Sequence, residues 1–337
     1  MKTFGIGDLF IPAACIRDGF RKNGMECRSI DWETGSFEKL QEINLLIEQN
    51  GANAYDVPDE LIAQVADAEI LVTQFCPVNR KMIERCPNLK IVGVLRGGYE
   101  NIDLQFARER GVKVFNTPGR NADAVADFTV GAIICEARNI ARGHHGIKSG
   151  QWIRKYPNSG HIPDLPGRTV GLIGFGEIGR KTAQRLRGFD MEMLVYDPFR
   201  KEFPDYVQAS GLDELFQRSD FVSLHARLTA ENRHLVNASR LGLMKPSAYL
   251  INTSRAGLVD ETALGEALKA GRIAGAFLDV FENEPPGLDH PLVQLEGVTL
   301  TPHMAGGSND AFLNSPVKLS AELAKSLRGL PCRGIIN

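Results

Sequence analysis

Three polar side chains in the second half of the chain have the types needed for proton and hydride chemistry at a hydroxyl-bearing carbon. Arg255 lies in INTSRAGLVDETAL, Glu284 in GAFLDVFENEP and His303 in TLTPHMAGG. Each follows a short apolar run that reads as a strand: Ala248–Asn252, Ala274–Leu278 and Val298–Thr301. Ligands of an open α/β sheet bind beyond the carboxyl ends of its strands, so residues placed there are expected to converge on one crevice. Removing hydride from such a carbon needs a base for the O–H proton, which a histidine can take. A glutamate beside it would orient the ring and favour its charged form. An arginine holds a carboxylate through two N–H groups and polarises a neighbouring oxygen. Taken singly, each also has a plain reading as a surface arginine, a capping glutamate and a buried histidine.

A second constellation precedes these. Gly174-Phe175-Gly176-Glu177-Ile178-Gly179 is a G-x-G-x-x-G, weak alone because the chain has 34 glycines. Its context carries it: the apolar run Val170–Gly174 leads in and a helical pattern leads out. Gly174 would permit the tight turn, Gly176 the approach of a pyrophosphate, and Gly179 close packing of helix on strand. N–H groups at the helix start would face the anion. A second strand ends in Tyr196-Asp197-Pro198, placing Asp197 18 residues beyond Gly179. A carboxylate there holds a ribose 2′-OH and repels a 2′-phosphate, so NAD is expected rather than NADP. The plain reading is an unliganded glycine turn and a strand-end cap.

The elements that must position these groups alternate. Ile70–Thr73, Lys90–Leu95 and Val112–Asn116 read as strands, with helices over Arg80–Arg85 and Asn101–Arg110. Thr117-Pro118-Gly119 breaks the chain, and one long helix is expected over Asn121–Arg142. A second series follows. Its strands are Thr169–Gly174, Met191–Tyr196, Phe221–Leu224 and the three named above, and its helices Glu177–Arg187, Gly211–Gln217 and Glu261–Ala270. A final helix, Asp310–Arg328, is too small to stand alone and should pack back on the first unit. The expected architecture is α/β, with two Rossmann-like doubly wound parallel-sheet domains. Residues 1–118 and 305–337 form a discontinuous substrate domain and 119–304 an NAD-binding domain, with substrate between them and hinges near Pro118 and Ala305.

Composition narrows the class. The formal net charge is −2, from 39 basic and 41 acidic residues with no basic run, so no nucleic-acid partner is expected. No apolar run approaches the ~20 residues of a membrane helix, and the first residues lack a signal-peptide pattern. Six scattered cysteines form neither C-x-x-C nor a zinc spacing, so no metal site is expected and a reducing cytoplasm is. His144-His145 lacks a third ligand at a sensible spacing.

The chain resembles the D-isomer-specific 2-hydroxyacid dehydrogenases over nearly its whole length. The segments that carry the likeness are RGGYENID (Arg96–Asp103), FNTPGRNADAVADFTVGAII (Phe115–Ile134), GRTVGLIGFGEIGR, HARLTAENRHLVN, INTSRAGLVDETAL, GAFLDVFENEP and TPHMAG. The resemblance implies hydride transfer between NAD and C2 of a small 2-hydroxy or 2-oxo acid. It implies a catalytic Arg255, a Glu284 that charges and orients His303, and His303 as proton donor or acceptor. Amides near Gly97 and Gly98, with Arg96 beside them, would bind the substrate. Asp279 would hold the nicotinamide carboxamide, and His225, Thr229 and Thr253 fall in matching segments on the cofactor side. The helix near Asn121–Arg142 would join a homodimer interface. The chain departs from the family at Arg227, where a proline is common, and at Thr73-Gln74-Phe75-Cys76, where phosphoglycerate dehydrogenases carry an arginine. The rival reading is an NAD(H)-sensing protein resembling the corepressors built on this fold.

Overall fold

The computed structural model describes all residues from Met1 to Asn337. The chain divides into two compact units, residues 1–121 with 308–337 (unit 1) and residues 122–307 (unit 2).

Unit 1 is built on five parallel strands: β1 (Thr3–Gly7), β2 (Arg28–Asp31), β3 (Ile70–Thr73), β4 (Ile91–Val94) and β5 (Lys113–Phe115). Their order is β2-β1-β3-β4-β5, so the winding direction reverses between β1 and β3. Strands β1, β3 and β4 are buried throughout, as a sheet covered on both faces requires. Glycines in β1 read locally as turn residues, yet here they admit a helix. A Cβ at Gly5 would lie 2.6 Å from Ile16, and one at Gly7 2.2 Å from the Ala13 nitrogen. This close approach of helix Ala13–Arg21 accounts for two glycines in a strand that sequence patterning did not assign.

The C-terminal residues complete this unit. Leu319 and Leu323 are fully buried in a cluster with Ile16, Phe20 and Phe115. Glycines again set the contact, because a Cβ at Gly19 would meet Pro316 at 2.6 Å and one at Gly93 would meet Leu319 at 2.7 Å. The single helix expected over Asp310–Arg328 is two helices, Asn309–Leu313 and Ser315–Leu327. Pro316 has no N–H to continue the first ladder and is favoured at the start of the second.

Unit 2 carries seven parallel strands: β6 (Thr169–Ile173), β7 (Glu192–Tyr196), β8 (Gln208–Ala209), β9 (Phe221–Leu224), β10 (Tyr249–Asn252), β11 (Gly275–Leu278) and β12 (Val298–Leu300). Their order is β12-β11-β10-β9-β6-β7-β8, with the reversal between β6 and β9. The two-residue β8 was not foreseen, being exposed and without periodicity. The long helix expected over Asn121–Arg142 is also two, Ala122–Ala137 and Ile140–Lys148. Asn139 adopts a left-handed φ of 57° between them, braced by Asn158 at 2.8 Å and Arg142 at 2.9 Å. The first of these helices is tied to helix Glu177–Leu186 by Asp123, which pairs with Lys181 at 2.6 Å and Arg185 at 3.1 Å. No helix is long and apolar enough to cross a membrane.

Candidate active site

The glycine loop leaves β6 at the point where strand order reverses. Gly174 has φ 96°, and a Cβ there would lie 2.8 Å from the Ala226 nitrogen. A Cβ at Gly179 would lie 2.2 Å from the Gly174 carbonyl oxygen, so helix Glu177–Leu186 can approach only without one. A Cβ at Gly176 would enter open space. The three glycines thus divide into turn, cradle and packing roles, and the cradle at the helix start fits a pyrophosphate. Phe175 is fully buried in the core beneath the loop, while Glu177 and Ile178 open the helix.

Asp197, at the end of β7, is half-buried and uses both carboxylate oxygens on backbone. Oδ2 accepts from Phe175 N at 2.8 Å and Oδ1 from Phe199 N at 2.9 Å. It therefore clamps the glycine loop as well as presenting its remaining lone pairs. Tyr196 helps through its carbonyl, which accepts from Gly174 N at 2.8 Å, and Pro198 is exposed beside it. The His225 ring lies beside Ser223 Oγ at 3.0 Å, its Nδ1 buried without a partner. Burial pushes its pKa down to about 4, so the ring is neutral. Thr229 is exposed, its N–H donating to Asn232 Oδ1 at 2.7 Å. Thr253 is buried 2.8 Å from Thr129 Oγ1. Thr129 spends its own proton on Val125 O, so Thr253 is the donor of that pair.

Arg255, Glu284 and His303 follow β10, β11 and β12 and line one cavity of about 470 Å³. Glu284 Oε1 accepts from Phe281 N at 3.0 Å, which fixes the carboxylate, and Oε2 lies 2.8 Å from His303 Nδ1. A carboxylate only accepts, so Nδ1 bears a proton and Nε2 is left for other chemistry. Arg255 Nη1 donates to the Ser254 carbonyl at 2.7 Å, and the rest of its guanidinium donates to nothing in the protein. The loop behind it is held by Asn252, which donates to Arg255 O at 2.9 Å and accepts from Ser254 N at 3.0 Å.

His303 is held in an uncommon backbone state, φ 49°. Asp279, fully buried directly after β11, makes that state affordable. Its Oδ1 accepts from Thr301 Oγ1 at 2.6 Å and Met304 N at 2.9 Å, and its Oδ2 from Ala305 N at 2.8 Å. Sequence reasoning missed this bracing role, which depends on two strands meeting side by side. Arg233 also escaped notice: it lines the same cavity, paired with Glu282 at 2.7 Å.

Arg96, Gly97 and Gly98 belong to unit 1 and follow β4. The Arg96 guanidinium is nearly buried and already paired, with Glu48 at 2.7 Å and Glu100 at 3.3 Å. Asn116 fixes the loop by donating to the Gly97 carbonyl. The N–H groups of Gly97 and Gly98 donate to nothing within the protein.

Comparison with known proteins identifies the family. The family model described as D-isomer specific 2-hydroxyacid dehydrogenase, NAD binding domain, covers residues 130–305. The chain is 39% identical over 285 residues to a glyoxylate reductase of Thermofilum pendens, spanning 83% of this chain and 84% of that one. It is 39% identical over 272 residues to a hydroxypyruvate reductase of Thermotoga maritima, spanning 80% and 88%. A crystal structure of a D-lactate dehydrogenase from Treponema pallidum superposes with a TM-score of 0.78 over 99% of this chain and 100% of that one; at 22% identity, this is a likeness of fold. The chain therefore belongs to the D-isomer-specific 2-hydroxyacid dehydrogenase family and is an NAD-dependent enzyme.

Proposed function

We propose that the protein transfers a hydride between NAD and C2 of a small D-2-hydroxy or 2-oxo acid, with His303 as acid and base. The observation that carries this reading is the 2.8 Å contact between Glu284 Oε2 and His303 Nδ1 in a cavity shared with Arg255. Bound NAD supplies or accepts the hydride. Arg255 offers its free fork to the substrate carboxylate and to the C2 oxygen as charge develops there. His303 Nε2 gives that oxygen a proton in reduction and takes one in oxidation. Glu284 keeps the ring in the tautomer and orientation that leave Nε2 available. The free N–H groups of Gly97 and Gly98, with Arg96 beside them, give unit 1 a second carboxylate-binding loop, so unit 1 is the substrate domain and unit 2 the NAD domain.

The relatives named for glyoxylate and hydroxypyruvate support reduction of short 2-oxo acids. A homodimer in the cytoplasm completes the reading. Six unpaired thiols suit a reducing compartment, and Ile140, Ile147, Trp152 and Ile153 leave an apolar surface exposed on and after helix Ile140–Lys148. The test is NADH oxidation with a panel of 2-oxo acids. Turnover is expected, and tight NADH binding without turnover of any of them would replace the enzyme with a sensor. Asp197 makes NADH the better cofactor, and Asp197→Ala is expected to narrow the NADH-to-NADPH ratio of kcat/KM by about tenfold, one hydrogen bond's worth. Equal wild-type use of both cofactors would remove Asp197 from that role.

A further inference from the structure

The sheet of unit 1 reverses its winding between β1 and β3, and the crevice outside such a reversal is where open α/β sheets bind ligands. The residues directly after these strands are Asp8 and Gln74. Asp8 is only 4% exposed. Its Oδ1 accepts from Phe10 N at 2.9 Å and Ile11 N at 3.0 Å, while Oδ2 has no hydrogen-bond partner, the Phe75 N–H lying nearby but outside bonding geometry. Gln74 is fully buried, and neither Oε1 nor Nε2 has a partner. Arg120, beyond β5, has a buried Nη1 without a partner, and burial and the Arg96 charge pull its pKa down to about 10.

These groups share one aromatic floor. Arg96 lies 5.2 Å over the Phe75 ring, Phe75 lies 5.5 Å from Phe10, Phe10 lies 4.9 Å from Phe312, and Arg120 lies 4.7 Å over Phe312. An arginine stands at each end. Arg96 is neutralised by Glu48 and Glu100, whereas Arg120 forms no ion pair and feels the Asp8 charge only at longer range. Buried polar atoms are nearly always paired, and four orphans around one switch point mark a place where something else supplies the partners. Two of them accept, Asp8 Oδ2 and Gln74 Oε1, and two donate, Gln74 Nε2 and Arg120 Nη1.

We propose that this switch-point site of unit 1 recognises a hydroxylated tail on the 2-oxo or 2-hydroxy acid. The inference rests on the reading of the reaction given above and names its substrate class. Hydroxyl groups both donate and accept, so a tail bearing two or more can satisfy all four orphaned atoms. An alkyl tail would leave every one unpaired. A phosphorylated tail would suit Arg120 but would press a dianion against the Asp8 carboxylate.

The test compares 3,4-dihydroxy-2-oxobutanoate with 2-oxobutanoate, the same carbon chain without hydroxyls, and with 3-phosphohydroxypyruvate. The hydroxylated acid is expected to have kcat/KM roughly 10–100-fold above the alkyl acid, because unpaired polar groups penalise the analogue. It is also expected to exceed the phosphorylated acid. In Gln74→Leu, which removes two of the four atoms, the ratio of hydroxylated to alkyl acid should fall by about tenfold, and in Asp8→Asn, which replaces a charged acceptor with an amide, by about threefold. Two variants guard against one failing to fold, and a thermal melt of each reports that directly. A wild-type ratio near one, a ratio unchanged in both variants, or a phosphorylated acid preferred would each overturn the proposal. If no 2-oxo acid is reduced, the hydride-transfer reading fails instead, and calorimetry with D-erythronate decides the site. Binding to the wild type that is lost in Gln74→Leu supports the site, and no binding to the wild type overturns it.

Discussion

Asp8 and Asp279 are both carboxylates buried directly after a strand of a parallel sheet, and their surroundings differ in kind. Asp279 accepts three hydrogen bonds from the loop that carries His303. Asp8 has one oxygen satisfied by backbone and one facing no partner, beside a Gln74 whose amide is wholly unpaired. Unit 2 uses a buried carboxylate to hold still the loop of His303, the residue proposed for proton transfer. Unit 1 leaves buried charge unspent, which costs stability in the free protein and returns it when a complementary molecule arrives.

The comparison breaks most severely if the group being held still is unimportant. His303→Ala is expected to lower kcat/KM for the best 2-oxo acid by about 10³–10⁴, the upper range for losing a general acid. Steady-state kinetics decides this, and a loss below tenfold would leave Asp279 bracing an idle loop. Arg255→Lys keeps the charge but loses the fork, and a loss of roughly 10²–10³ is expected, the size of removing one oxyanion donor. Near-normal kcat/KM in that variant would take Arg255 out of the site.

The same substitution at the two aspartates sharpens the contrast, because the signs should be opposite. Asp279→Asn turns an acceptor into a donor that faces N–H groups and removes charge-assisted bonds, so a destabilisation on the order of 3 kcal/mol is expected in urea titration. Catalysis should fall with it, since the His303 loop loses its brace. Asp8→Asn should instead stabilise the protein at pH 7. Burial raises the Asp8 carboxyl from 3.8 to about 6 in the folded state, against the hydrogen bonds from Ile11 and Phe10. Between those values the unfolded chain loses its proton first, so folding is increasingly disfavoured as pH rises from about 4 to about 6. The penalty is complete above about 6 and absent below about 4. Relieving it should add about 1–3 kcal/mol at pH 7 and nothing at pH 4, because one pKa unit corresponds to ~1.4 kcal/mol. A variant less stable than wild type at pH 7 would show that Asp8 is a structural carboxylate like Asp279.

The same two regions differ in how far they could be read from sequence. The glycine loop was legible because each glycine's role follows from local geometry: a positive φ at Gly174, open space at Gly176 and a 2.2 Å approach at Gly179. Arg255, Glu284 and His303 were legible because each sits at a strand end, and parallel strands bring their ends to one edge. The bracing by Asp279 was not, since it needs the register in which Leu278 sits opposite Leu300. The first two strands of unit 1 were also missed. Gly5 and Gly7 imitate a turn, and β2 alternates too weakly to be read as half-buried. With those strands unassigned, the reversal between β1 and β3 could not be placed, and Gln74 remained only a missing arginine. The two broken helices were read as continuous because apolar periodicity runs across both breaks. The interruptions come from a left-handed Asn139 and a ring at Pro316.

The way unit 1 is closed bears on how the protein is made. Strand β5 is paired on its outer side by the last residues of the chain: Ile336 N donates to Val114 O at 2.9 Å, and the Asn337 side chain accepts from Val114 N at 2.7 Å and donates to Val112 O at 2.9 Å. Leu319 and Leu323 fill the layer beneath. Unit 2 is one unbroken stretch of chain, so on a ribosome it has all its parts while unit 1 still lacks a helix and the cover for its edge. The order of translation is therefore the reverse of the order of completion. The nascent first 121 residues must wait with an open strand and uncovered leucine sockets, the state in which chains are most apt to pair with one another, until residues 308–337 emerge.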